Sequence, residues 1–333
     1  MSAVAQESTT KNLLTGLKEA IYEEMRDNDR MVCIGEDIGI LGGAFGVTEG
    51  LQAEFGPQRV IDAPISEAAI VGTAIGFAMM GRPVMVEMQF IDFISCGFDQ
   101  IVNNAATMYY RTAGDVNLPI VIRGPSGGYG GGGPYHSQQN ETWFAHSPGL
   151  KVVCPAFPKD AKGLMKSALR DPNPVIFYEV KELYRKREIE QELDDEPIPL
   201  GKANVLREGD DLTIVSYGNP VHFCLEAAKR LEAEGVNAEV IDLRTLVPLD
   251  EQAILDSVSK TNRVIVVNEA SRTCGFAGEV VARINELAFD KLDAPPLRVT
   301  RADTPVPWVK PLELAVLPSV ENIVETAMKV AKF

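Results

Sequence analysis

Short, nearly continuous apolar runs alternate with helical stretches along most of this 333-residue chain, and that alternation leaves few folds open. Met31-Val32-Cys33-Ile34-Gly35 is strand-like, residues 66–80 carry helical spacing, and 83–87 (PVMVE) read as the next strand. A helix over 98–111, a strand over 118–123, a strand over 151–154, a helix over 160–170 and a strand over 174–179 continue the series. Strands that are apolar at nearly every position need cover on both faces, which is the condition of a parallel sheet flanked by helices. Ahead of them, Leu13, Leu14, Leu17, Ala20, Ile21 and Met25 recur at helical spacing, with Thr9 or Thr10 as the expected cap.

The alternation breaks once. Residues 181–199 are charged, contain Asp194-Asp195-Glu196-Pro197 and lack apolar periodicity, so they read as a linker. Beyond them come strands at 212–217, 238–242, 263–267 and 297–300, and helices at 221–234, 249–257 and 278–289, with Ser319 capping a last helix. The expected architecture is α/β, with two doubly wound domains: residues 1–185 and 205–333, joined by a linker over 186–204. A chain of this length has room for each domain to bury its own core.

Composition narrows the function classes. Hydrophobic content of 45% and charged content of 24% are those of a soluble globular protein. A net charge of −15 argues against nucleic acid, whose phosphates need a basic surface, and suits a basic protein partner. Five dispersed cysteines (Cys33, Cys96, Cys154, Cys224, Cys274) without CxxC spacing read as reduced, mostly buried thiols. The opening MSAVAQESTT has neither the apolar core of a signal peptide nor the arginines of a transit peptide, and the longest apolar stretch, 68–81, is too short and glycine-rich to cross a bilayer. No membrane association is expected. The expected location is the cytoplasm, or an organellar matrix where a transit peptide has been removed.

Between residues 124 and 138 the chain reads GPSGGYGGGGPYHSQ: seven of fifteen residues are glycine, and His136 is one of only three histidines. Such a tract opposes helix and reads as a flexible loop, and loops hung on a rigid strand are where binding and catalytic groups concentrate. An imidazole at its end is a candidate proton carrier near neutral pH. A mobile surface loop that carries a histidine fits the same residues. Gly128-x-Gly130-x-x-Gly133 meets the dinucleotide spacing, but Pro134 and a polar run follow where that fingerprint needs a helix. Gly124-Pro125-Ser126-Gly127-Gly128 fits the GxSxG elbow of serine hydrolases, which must also feed into a helix that four consecutive glycines oppose.

Glu67 follows Ser66 at the expected start of a helix, where a hydroxyl caps and a carboxylate meets the favourable end of the helix dipole. That structural reading is sufficient by itself. Ala68, Ala69, Gly72, Ala74, Gly76 and Ala78 let another backbone approach, however, which points to a domain or subunit interface. Glu67 would then open onto an apolar crevice that raises its pKa. Phe93, with Phe90 and Phe98, follows a strand, where an aromatic serves the core or lines a ligand crevice. His146 reads as a packed histidine bonded to backbone, and His222 as structural.

Several stretches together resemble a known family. They include Gly35-Glu36-Asp37, Asp62-Ala63-Pro64-Ile65-Ser66-Glu67, Gln89-Phe90-Ile91-Asp92-Phe93, Gly97-Phe98-Asp99-Gln100-Ile101-Val102-Asn103 and Tyr135-His136-Ser137-Gln138. Phe144-Ala145-His146-Ser147-Pro148-Gly149, Glu239-Val240-Ile241-Asp242-Leu243-Arg244-Thr245-Leu246 and Asp303-Thr304-Pro305 extend the likeness over nearly the whole chain. The chain resembles the beta subunit of the thiamine-diphosphate-dependent first component of 2-oxo acid dehydrogenase complexes.

The resemblance implies a transketolase-like pyrimidine-binding domain followed by a transketolase C-terminal-like domain. It implies that Glu67 bonds the aminopyrimidine ring of thiamine diphosphate, where a carboxyl keeps the ring protonated and so activates the cofactor. By the same resemblance Phe93 packs on the pyrimidine, with Gln89 nearby, and His136 stands at the reacting centre to assist proton or acyl transfer to lipoyl. A potassium site in some members maps to Ile120, Ala168, Leu169, Asp171 and Asn173. The family's GDG…Asn motif for diphosphate and magnesium is absent here, which implies that magnesium is held by an alpha subunit in an alpha2-beta2 heterotetramer. The small basic subunit-binding domain and the lipoyl domain of the acyltransferase component complete the implied partners. The implied substrate is a 2-oxo acid, pyruvate first, with branched-chain (2-oxoisovalerate) and acetoin dehydrogenase subunits as alternatives. A non-catalytic scaffold paralogue is the rival from another class.

Overall fold

The computed structural model describes residues 10–333. Among them a seven-stranded and a five-stranded sheet form the frame. In chain order the strands are β1 (Val32–Gly35), β2 (Val60–Asp62), β3 (Val84–Glu87), β4 (Ile120–Ser126), β5 (Lys151–Val153) and β6 (Val175–Val180). They continue with β7 (Asn204–Arg207), β8 (Leu212–Ser216), β9 (Ala238–Asp242), β10 (Thr245–Val247), β11 (Val264–Ser271) and β12 (Leu297–Arg301). The first sheet runs β10-β5-β6-β4-β3-β1-β2 and the second β12-β11-β8-β9-β7.

The expected α/β architecture is present, but neither sheet is wholly parallel. β10 pairs antiparallel with β5, and β7 antiparallel with β9, each at a sheet edge. The parallel centre of the first sheet carries the row Cys33, Met85, Val121 and Val175, one residue per strand. All four are fully or almost fully buried, as continuous apolar strands require.

The two halves do not keep separate cores. β10, from the second half, closes the edge of the first sheet, and Tyr217, Leu243, Val264 and Phe276 belong to the same buried cluster as the first sheet's strands. The opposite face of the second sheet, with Ile214, Val240 and Val267, packs on the helices Pro220–Ala233 and Val320–Ala331. The charged segment after β6 does not hang free either. Leu183 and Tyr184 are buried, Gln191 bridges to Lys11, Asp195 pairs with Lys162 at 2.7 Å, and Ile198 N–H donates to Gly163 O. Its charges sit on a strap that crosses the helices Leu13–Asp27 and Pro158–Arg170.

Local corrections have local causes. The first helix is capped by Asn12, whose Oδ1 accepts the Thr15 N–H at 2.9 Å. Thr10 instead donates to Glu190, and Thr9 lies outside the described residues. The helix expected over 98–111 is present and continuous, but a 3₁₀ stretch (Ile91–Gly97) leads into it and it widens into a π-helical turn at Gln100–Ala105 before its α-helical end, Ala106–Arg111. Side chains bridge that wide turn: Asn103 donates to Asp99 at 2.8 Å and Asn104 to Gln100 at 3.2 Å.

Candidate functional site

β1, β3 and β4 run parallel, so the segments that leave them emerge together at one edge of the sheet, where ligand crevices of open α/β sheets form. Glu36 and Asp37 leave β1, Gln89 follows β3, and the helix Glu67–Met79 starts just after β2. Glu36 is buried, and burial first, then the charges of Glu67 and Asp37, hold its carboxyl above the ordinary range. Gln89 Nε2 donates to Asp37 Oδ2 at 3.3 Å. Ser66 occupies the N-cap position, but its side chain makes no capping bond. Within this chain Glu67 is half-buried in an acidic corner, with Ile65, Ala68 and Ala69 exposed beside it, rather than in the expected apolar crevice.

The second part of the site is aromatic. The His136 ring lies edge-on to Phe90, with centroids 4.4 Å apart, and to Phe93, at 5.5 Å. Asp92, between those two phenylalanines, accepts the N–H groups of Ser137 (3.1 Å) and Gln138 (3.0 Å), which fixes the backbone on the far side of His136. A cleft of about 420 Å³ opens here, lined by Phe45, Phe90, His136, Lys181, Glu182 and Trp308 among others. Lys181 Nζ is buried without a hydrogen-bond partner, and desolvation lowers its pKa despite the nearby Glu269, Asp92 and Glu313. Sequence reasoning missed Lys181 and Trp308, because neither carries a motif and both reach the cleft through tertiary packing.

Beneath both parts lies a buried ion network. Arg123 on β4 donates to Glu87 on β3 and, with two nitrogens, to Glu179 on β6, which also accepts from Tyr184 OH at 2.5 Å. Arg123, Glu87 and Glu179 are each 2% exposed or less. Burial pushes the Glu87 carboxyl up to about 7, against the pull of Arg123.

The potassium candidates fall at the opposite edge. Ile120 opens β4, Ala168 and Leu169 end the helix Pro158–Arg170, and Asp171 and Asn173 lead into β6. Asp171 already binds Lys151 Nζ through both oxygens, at 2.6 and 2.7 Å, whereas Asn173 Oδ1 is buried and unpartnered. Among the described residues no group of three or more His, Cys, Asp or Glu could hold a metal ion.

Other sequence candidates separate cleanly. Ser126 is the last residue of β4 and fully buried, and a loop follows it, so it is no hydrolase nucleophile. His146 is exposed rather than packed. His222 is structural: its Nε2 bonds Ala156 O at 2.8 Å, and burial drops its pKa to about 4. No helix among the described residues is long and apolar enough to cross a membrane.

Comparison with known proteins agrees with this geometry. Residues 10–187 match the family model for the transketolase pyrimidine-binding domain, and residues 201–323 that for the transketolase C-terminal domain. The chain is 45% identical over 315 residues to the 2-oxoisovalerate dehydrogenase subunit beta of Bacillus subtilis, covering 94% of this chain and 96% of that protein. It is 44% identical to the pyruvate dehydrogenase E1 component subunit beta of the same organism (96% and 98% covered) and to the mitochondrial subunit of Caenorhabditis elegans (97% and 93%). Among solved structures, a split-gene transketolase described as an inactive beta4 tetramer superposes with a TM-score of 0.79 at 23% identity, covering 96% of this chain and 98% of that one, a likeness of fold alone.

Proposed function

The chain belongs to the family of 2-oxo acid dehydrogenase first-component beta subunits, a two-domain transketolase-like family, and we propose that it supplies half of a thiamine-diphosphate site completed by an alpha subunit. The observation that carries this reading is the acidic pair at the sheet edge. Glu36 is buried within electrostatic reach of Glu67, and such a pair favours a protonated, basic heterocycle as its neighbour. The residues present therefore fit an aminopyrimidine: Glu67 would hold a proton at the ring nitrogen, Phe93 would pack on the ring, and Gln89 would stay oriented by Asp37. Thiamine diphosphate, when bound, supplies the nucleophilic carbon and electron sink that decarboxylation of a 2-oxo acid needs.

His136 stands at the mouth of the cleft, edge-on to two aromatic rings, where an imidazole can hold or deliver a proton during acyl transfer to a lipoyl group. The exposed face of the helix Glu67–Met79 supports an alpha partner in an alpha2-beta2 heterotetramer. Ala68, Ala69 and Gly76 lie on it, with Ile65, Met79 and Met80 exposed around them. Magnesium would be held by that partner. Potassium would rest on carbonyls at the end of the helix Pro158–Arg170 and on Asn173 Oδ1, since Lys151 already balances Asp171. The net charge of −15 suits docking onto a basic domain of an acyltransferase component. The proposed substrate is a 2-oxo acid, pyruvate first and 2-oxoisovalerate second, a reading supported by relatives named for pyruvate and 2-oxoisovalerate dehydrogenases. The cytoplasm, or an organellar matrix, is the setting that goes with this reading.

Glu67→Gln tests the assignment. In the assembled complex it should lower turnover by roughly 100- to 10,000-fold, the range for removing a positioned proton-transfer group, while assembly with the alpha subunit is unchanged. Full turnover by the variant would refute the role given to Glu67.

A further inference from the structure

The glycine tract does not hold its shape by itself. Gly127 N–H closes the base of the loop on Gln138 O at 3.0 Å, and the residues between them are held largely by the second domain. Glu269, on β11, accepts the Gly128 N–H at 2.5 Å. Glu313, in the helix Lys310–Val316, accepts the Gly131 N–H through both oxygens at 3.1 Å. Lys310 Nζ donates to Tyr129 O, and Tyr129 OH donates to Pro318 O at 2.8 Å. The Trp308 ring is so close to Gly133 that an added Cβ would stand 2.5 Å from it, and φ at Gly131 and Gly133 is +72° and +63°, where a side chain would be strained. Both carboxylates are buried, and they come from positions 141 and 182 residues further along the chain than the N–H groups they accept.

We propose that Glu269 and Glu313 are positioning residues for His136: they fix the glycine tract from the second domain so that the imidazole stays against Phe90 and Phe93. The inference rests on the proposed role of His136 in acyl transfer. Buried carboxylates that accept backbone N–H groups form strong, directional bonds, and here they satisfy donors that a loop without secondary structure leaves open. Asp92 fixes the chain after His136, and Glu269 and Glu313 fix it before. Neither glutamate lines the cleft, so each acts through the tract and not on substrate.

The test uses the complex assembled with its alpha subunit and compares Glu313→Ala, Glu313→Gln, Glu269→Ala and Glu269→Gln with wild type. Lys310→Met joins them as a variant at a half-exposed side chain that removes the tether to Tyr129 O together with the ion pair to Glu313 at 3.4 Å, and should fold. Two rates are read: decarboxylation coupled to an acceptor dye, and acylation of an isolated lipoyl domain. The alanine variants should lose roughly 10- to 100-fold more in acylation kcat than in dye-linked turnover, the cost of misplacing a group by about 1 Å. KM for the 2-oxo acid should stay unchanged, and glutamine, whose carbonyl oxygen still accepts the N–H, should recover most of the loss.

An activity-independent readout accompanies the rates: carbethoxylation of His136 by diethyl pyrocarbonate, relative to the exposed His146, should rise in the alanine variants and in Lys310→Met but not in the glutamine ones. Parallel loss of both rates, no rescue by glutamine, or unchanged His136 labelling would overturn the proposal. A wild-type complex that turns over no 2-oxo acid would defeat the functional reading instead, and the labelling ratio would still decide whether the second domain holds His136.

Discussion

Arg123→Met puts the buried ion network to a quantitative test. The guanidinium is 1% exposed and is shared by Glu87 and Glu179, themselves 2% and 0% exposed. Methionine approximates its stem but strands two carboxylates between three strands. Removing one partner of a buried ion pair costs about 3–5 kcal/mol, because the remaining charge must be neutralised or resolvated. At about 2–4 °C per kcal/mol for a domain of this size, the melting temperature should fall by roughly 6–20 °C. Differential scanning calorimetry at pH 7.5 measures it. The control is the triple variant Arg123→Met, Glu87→Gln, Glu179→Gln, which removes the stranded charges and should regain most of the loss. A fall of less than about 2 °C for the single variant would refute the reasoning, and a triple variant as unstable as the single one would assign the loss to packing.

Two further outcomes follow from the same structure. Burial raises the Glu269 carboxyl from 4.5 to about 7, so the folded protein holds that proton more tightly than the unfolded chain does. That contribution is complete below pH 4.5 and is lost as pH rises through about 7; the melting temperature of Glu269→Gln minus that of wild type should therefore increase from pH 5 to pH 8, and a difference independent of pH would contradict it. His136→Ala should lower lipoyl-domain acylation by roughly 100- to 10,000-fold with little change in melting temperature, since the ring is only half-buried; equal loss of folding would return His136 to a structural role.

Much of the fold was readable because it rests on local patterns. Val32-Cys33-Ile34, Val84-Met85-Val86 and Ile120-Val121-Ile122 are apolar throughout, as strands covered on both faces must be, and they form the parallel centre of the first sheet. β10 was not readable: Thr245-Leu246-Val247 is too short to announce a strand, and its partner, β5, lies some 90 residues away. The segment after β6 reads as a linker, and its packing is not legible because its charges face the lysines of the helix Pro158–Arg170 while Leu183 and Tyr184 turn inward, a division that periodicity over so few residues does not show. Glu67, Phe93 and His136 stand as candidates on stretches that resemble a family, and the structure brings Phe93 and His136 together. Glu269, Glu313 and Lys181 were not legible, since each acts across more than 40 residues of sequence and none sits in a motif. The glycine tract shows the limit most clearly: composition announced a loop, but its path is set by groups from the second domain.

The most direct test of the central claim is an acceptor-dye assay on this chain with and without a co-expressed alpha subunit, in thiamine diphosphate and magnesium. Pyruvate, 3-methyl-2-oxobutanoate and acetoin are supplied in turn. A shared cofactor site requires turnover of one of them that disappears when the alpha subunit is left out. Turnover by this chain alone would contradict the half-site account, and a fully assembled, cofactor-loaded complex that turns over none of the three would give the lead to the scaffold reading.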